Sequence, residues 1–131
     1  MACRITGLVL DCHDPDRLAE FWCAVLGYEV IGHEPDGLEL GVPGARLGDG
    51  PPTLVLAQSE NPKRAKLPLH IDVNPAGSDQ ETELARLTAL GARPADVGQT
   101  GEESWVVLQD PEGNEFCLLR KDIGAAGKQH G

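Results

Sequence analysis

An α+β fold made from a duplicated β-α-β-β-β module is what the sequence predicts, and three observations predict it. Two segments carry full sets of helix start and stop signals, and in each the cap and the stop stand 13 positions apart. The strands that enter these helices, "GLVLDC" from Gly7 and "PLHIDV" from Pro68, share the pattern Leu, any residue, Leu or Ile, Asp. Each helix then runs through an "LG" ending into a further strand, and more strands follow in both halves.

The elements follow in chain order. After "GLVLDC", the segment "DPDRLAEFWCAVLG" offers Asp14 as N-cap, Pro15 in the first turn and Gly27 as the stop. Leu18, Phe21, Trp22, Val25 and Leu26 recur at helical spacing, which makes one apolar stripe that must pack on something. "YEVIG", "GLELGV" and "TLVLAQ" are the next three strands, with the loop "PGARLGDGPP" from Pro43 to Pro52 before the last of them. "SENPKRAKLP" reads as a charged linker. In the second half Ser78 and Glu81 form an expected capping box, Leu84, Leu87 and Leu90 the stripe, and Gly91 the stop. "ARPADV", "SWVVLQD" and "EFCLLR" complete the strands, the last two joined by the turn "DPEGN". The modules span about residues 4–59 and 67–120 of a single expected domain, because neither half could bury its own sheet face alone, and residues 121–131 form a frayed tail.

A net charge of -10 narrows the partners. So many carboxylates repel phosphate backbones and anionic lipid headgroups, so neither nucleic acid nor membrane is expected, while a neutral or cationic small molecule is accommodated. Cys3, Cys12, Cys23 and Cys117 show no CxxC pair, no metal-ligand spacing and no secretory leader ahead of them. They are expected to be reduced thiols of a cytoplasmic protein.

The stretches "DPDRLAEFWCAVLGYEV", "LHIDV", "ELARLTALGA" and "DPEGNEFCLL" carry a resemblance to the vicinal oxygen chelate superfamily, in its glyoxalase-like and bleomycin-resistance branch, over about Arg4 to Arg120. The resemblance implies a curled mixed sheet forming a cup, with helices outside and a small-molecule cavity within, in a homodimer. It does not fix the chemistry, because relatives include isomerases, epimerases, ring-cleaving dioxygenases, thiol transferases and metal-free antibiotic-binding proteins. In metal-dependent relatives a divalent ion is held by His, Glu or Gln from the first and last strands of each module. Matching those places puts Gly7 in the first and Leu54 or Val55 near the second. The third falls on Pro68 in one register and on His70 in the other. The fourth, glutamate in such relatives, is Cys117. A cofactor is therefore not expected, and a divalent metal of the family type is disfavoured.

Strand alternation sends every second residue to one face. His70 and Asp72 share a face and are the expected catalytic pair, an imidazole beside a carboxylate serving as acid and base. The plainer alternative is an interior histidine with an aspartate that bonds only to backbone. Gln58, Trp105, Gln109, Glu115 and Cys117 are the expected ligand contacts. Trp105 would be a wall for a planar ligand, Gln58 the polar inward group of its strand, and Cys117 a small apolar filler more than a nucleophile. The expected function is binding of a small organic molecule, with lyase or isomerase chemistry at His70 and Asp72. The alternatives are non-catalytic sequestration of an antibiotic, as in bleomycin-resistance proteins, and metal-dependent glyoxalase or dioxygenase chemistry.

Overall fold

A computed structural model describes residues 2–60, 65, 67–95 and 103–124, which form two compact units, Met1–Arg64 and Ala65–Gly131. Most of the linker 61–66, the segment 96–102 and the tail beyond Gly124 lie outside the described residues.

The first unit runs β1 (Gly7–Cys12), α1 (Pro15–Leu26), β2 (Glu29–Glu34), β3 (Gly37–Gly41), β4 (Thr53–Gln58). The second runs β5 (Ile71–Val73), α2 (Gln80–Leu90), β6 (Arg93–Pro94), β7 (Val106–Gln109), β8 (Glu115–Leu118). The strand orders are β1-β4-β3-β2 and β5-β8-β7-β6. In both sheets the first strand pairs parallel with the last, and the remaining pairs are antiparallel. The duplicated module read from the sequence is thus present twice with one topology, and neither sheet closes on itself.

In the first unit α1 packs on β3 and β4. Asp14 accepts from the Arg17 backbone N–H at 3.2 Å, and Pro15 loses nothing at a position whose N–H has no helical partner. Gly27 ends the helix at φ 71°, a left-handed conformation that favours glycine, with its N–H donating to the Cys23 carbonyl. Leu18, Phe21 and Trp22 of α1 are buried, as are Leu38, Leu40, Leu54 and Leu56 on the strands it packs on. The Phe21 and Trp22 rings meet edge to face, centroids 5.2 Å apart, which is the helix-core role their spacing predicts. Burial raises the Tyr28 hydroxyl pKa, and that hydroxyl donates to the Pro52 carbonyl at 2.7 Å. Burial, with Glu29 nearby, also raises the Cys23 thiol, which keeps it protonated and unreactive.

Gly37 shows how closely the ladder is fitted. A Cβ there would collide with the Leu56 carbonyl oxygen on the neighbouring strand. Gly37→Ala is expected to cost about 2 kcal/mol, the usual penalty of forcing an extra carbon into filled space. A urea midpoint equal to wild type would show that the strands part without cost.

The second unit departs from expectation at its helix start. Asp79, not Ser78, is the N-cap of α2, its carboxylate accepting from the Thr82 N–H at 2.7 Å. Ser78 instead donates its hydroxyl to Glu83 at 3.0 Å, so the expected box with Glu81 does not form. Two capping residues stand side by side here, and the aspartate carboxylate is the stronger acceptor. The Thr82 hydrogen bonds hold Asp79 below the usual carboxylate range. Leu87 is buried and Leu84 half-buried, while Leu90, expected in the stripe, is exposed.

Glu83 is held below its ordinary value of 4.5, chiefly by hydrogen bonds from the Arg86 guanidinium and with help from Ser78. A depressed carboxylate stabilises the fold above that ordinary value, and the contribution disappears as pH falls through the lower folded value. Glu83→Gln should therefore be less stable than wild type at neutral pH, with the gap closing in strong acid. Urea midpoints at pH ~7 and pH ~3 read this directly. A gap that widens in acid would refute it. Among the described residues no helix is long and apolar enough to cross a membrane.

Candidate functional site

The site is built by strand alternation in the second sheet. β5 pairs parallel with β8 so that Asp72 stands opposite Cys117. β8 pairs antiparallel with β7, which sets Cys117 opposite Val107 and Glu115 opposite Gln109. Phe116 and Leu118 therefore point to the other face, where both are buried. On the site face Ala95, Val107 and Cys117 form a small buried cluster with Leu119 packed on it.

His70, immediately before β5, and Asp72 stand over this apolar floor. His70 Nε2 lies 3.0 Å from Asp72 Oδ1, and the two side chains are 44% and 50% exposed, so the pair is in close contact yet open to a ligand. Trp105, also partly exposed, supplies a flat wall. Glu115 is steadied at the margin by the Leu67 N–H, which donates to Oε1 at 3.4 Å. Together these residues line a cavity of about 330 Å³, the size of a small-ligand pocket. Among the described residues its charged groups are two carboxylates and an imidazole, and no lysine or arginine lines it.

Six of the expected site residues thus share one sheet face, five of them in the cavity lining. Gln109 has the same parity as Val107 but lies outside the lining, beside Glu115 and Arg93. Gln58 is a correction. Leu54 and Leu56 are the buried members of β4, so Gln58 shares their parity, on the face opposite Thr53, Val55 and Ala57. It sits exposed at the strand end in the first unit and is not an inward group of that sheet. The loop from Pro43 to Pro52 mostly lines a smaller hollow of about 160 Å³ in the first unit.

Two features escaped the sequence. Ala95 and Leu119 complete the floor, and continuing the alternation Glu115, Cys117, Leu119 would have found the second of them. The other is that one donor atom each from His70, Asp72 and Cys117 lie within 4.8 Å of one another. Among the described residues the first module has no such group. By the repeat, its counterparts of His70 and Asp72 are Val9 and Asp11, and Ala57 faces Asp11 as Cys117 faces Asp72.

The family ion needs several hard donors from both modules. Gly7 has no donor side chain, Leu54 and Val55 are aliphatic, and Cys117 supplies sulfur where relatives carry a carboxylate. These residues do not fit that ion.

Comparison with known proteins places the chain. Solved structures with the same fold include the genomically encoded fosfomycin resistance protein FosX from Listeria monocytogenes, 15% identical over 94% of each chain with a TM-score of 0.67. A glyoxalase/bleomycin resistance protein/dioxygenase family enzyme from Burkholderia phytofirmans PsJN is 16% identical, with a TM-score of 0.64 over 86% of this chain and 94% of its own. TioX from Micromonospora sp. ML1 is 19% identical, with a TM-score of 0.54 over 88% and 97%. At such identities the likeness concerns fold alone. No curated protein sequence matches the chain. The family model for the glyoxalase-like domain matches residues 7–119, from the first residue of β1 to the one following β8, and the chain belongs to that family.

Proposed function

We propose that this glyoxalase-like domain binds a small neutral or cationic organic molecule against the open face of its second sheet, where His70 and Asp72 carry out proton transfer of the lyase or isomerase kind. The observation that supports this most is the close imidazole–carboxylate pair, 3.0 Å apart, standing over an apolar floor in a cavity of about 330 Å³. Val107, Cys117 and Leu119 would take the apolar body of the ligand, and Trp105 would stack on a flat or cationic part of it. With its Nε2 3.0 Å from Asp72 Oδ1, His70 would take the proton on Nδ1, and the neighbouring carboxylate would stabilise the imidazolium that results. The proton then returns to another atom of the same ligand in an isomerisation, or to the leaving fragment in a lyase reaction.

Sequestration without reaction is the second reading. It is favoured by the surplus of carboxylates at the cavity, Asp72 and Glu115, in a chain of net charge -10, which draws a cation whether or not it reacts. The charge preference shared by both readings is tested by thermal shift with a panel of small amines, neutral amides and carboxylates of matched shape. Amines and neutral compounds should raise the midpoint, and Trp105→Ala should abolish the effect. A panel in which carboxylates bind best would sink both readings.

A further inference from the structure

The aromatic wall of the cavity stands where the sheet stops holding it. β7 begins at Val106, and Val106 opposite Leu118 is the last pair of the β7–β8 ladder at that end. Trp105 lies one residue beyond these paired positions, yet it lines the cavity together with Val107, two places further along. Two such residues share a face only while the chain between them stays extended. A contact from outside the ladder has to carry that course.

We infer that Gln80, the first residue of α2, is a positioning residue that sets the Trp105 wall against the floor of the cavity. Its side-chain Nε2 donates to the Ser104 carbonyl at 2.9 Å and to the Leu118 carbonyl at 3.1 Å. An amide NH₂ group has two hydrogens, so one side chain satisfies both acceptors. The two carbonyls belong to the residues immediately before Trp105 and Leu119, one the wall and the other part of the floor. Both acceptors are main chain, so Gln80 fixes the path of the backbone and not a single rotamer. Leu119 is also held from β5, its N–H donating to the Val73 carbonyl at 2.8 Å, and the amide thus ties the wall to an anchored floor. The tie has a firm base, because the Asp79 cap holds the first turn of α2. Gln80 is not itself a lining residue, so it acts through Trp105. The inference rests on the reading that a flat or cationic ligand stacks on that ring, and it names the group that presents the ring.

The test uses the full chain and the emission of Trp105, which a dissolved quencher reads selectively because Trp22 is only 1% exposed. Gln80→Met keeps the length of the side chain and removes the donor. Without any ligand, its emission should shift to longer wavelength and acrylamide should quench it more steeply than in wild type. The flat cation 1-methylpyridinium, followed by its own quenching of the indole, should bind roughly threefold to tenfold more weakly, about the worth of one neutral hydrogen bond. Arg86→Ala removes the Glu83 ion pair from the same helix and touches neither carbonyl, so it should lower the urea midpoint and leave the emission and the cation affinity as they were. If Gln80→Met does not fold by circular dichroism, Gln80→Glu carries the test, since a carboxylate suits a helix N-terminus yet has no proton to donate to the carbonyls. Ligand-free emission and acrylamide quenching equal to wild type would overturn the proposal, and so would an equal optical change in Arg86→Ala or a cation affinity that Gln80→Met leaves untouched. Failure of 1-methylpyridinium to bind wild type, with the ligand-free change present, would support the tie and count against the organic-ligand reading.

Discussion

His70→Ala is expected to lower turnover of the ligand by about 10²–10⁴-fold, the range a positioned acid–base side chain contributes, while binding changes little. Binding survives because the groups that hold the ligand's apolar body, Val107, Cys117, Leu119 and the Trp105 wall, are untouched. Turnover does not, because the nitrogen that takes the proton is gone and the Asp72 carboxylate is left without its imidazole partner. Asp72→Asn should fall between the two. Its amide can present its NH₂ group where the carboxylate accepted a proton, which turns the ring or its tautomer and leaves an imidazolium without a counter-charge. Steady-state kinetics with the compound that the thermal-shift panel selects, alongside calorimetric affinity for each variant, separates the effects. Unchanged turnover in His70→Ala would remove the pair from the chemistry. A wild-type chain that returns the compound unaltered would leave sequestration as the function.

Much of this arrangement is written in local signals. Asp14, Pro15 and Gly27 announce α1 because capping and left-handed termination act within a few residues, and the structure has each in its announced role. The duplication was equally legible, since Leu and Asp recur at matched places ahead of both helices, and the two sheets share one strand order. His70, Asp72, Trp105, Glu115 and Cys117 follow from strand alternation together with the family resemblance, and all five line one cavity.

The misses have a common cause in longer-range geometry. Gln58 was given the wrong face because the parity of β4 is set by which leucines α1 covers, a tertiary fact. Ser78 and Asp79 offer two adjacent caps, and only the folded chain chooses between them. The proximity of Cys117 to His70 and Asp72 depends on the parallel pairing of the first strand with the last, some 45 positions away in sequence, and on its register. No local pattern encodes that distance.

The turn between β7 and β8 sets the register of that antiparallel pair, which makes Asp110→Ala the structural change with the largest expected effect. Asp110 is fully buried. Its Oδ1 accepts from the backbone N–H of Glu112 at 2.9 Å and of Asn114 at 3.0 Å, and the Asn114 side-chain amide donates to Oδ2 at 2.9 Å. The backbone closes the same turn, with Asp110 N–H donating to the Asn114 carbonyl and Gly113 N–H to the Asp110 carbonyl, and Gly113 at φ 87° takes a conformation that most side chains would strain. Removing the carboxylate leaves Asn114, itself buried, with donors that water reaches poorly, at a cost of about 3 kcal/mol. Asp110→Asn keeps one acceptor oxygen and should lose about 1 kcal/mol. Each tryptophan belongs to a different unit, so urea unfolding followed by Trp105 fluorescence in a Trp22→Phe background reads the second unit. The site should suffer with the turn, because Cys117 faces Asp72 and Val107 only while β8 keeps its pairing. Faster hydrogen exchange at the amides of β7 and β8 in Asp110→Ala would accompany the loss. A variant within about 0.5 kcal/mol of wild type, the range of an inconsequential surface change, would mean that the strands hold their register without the turn.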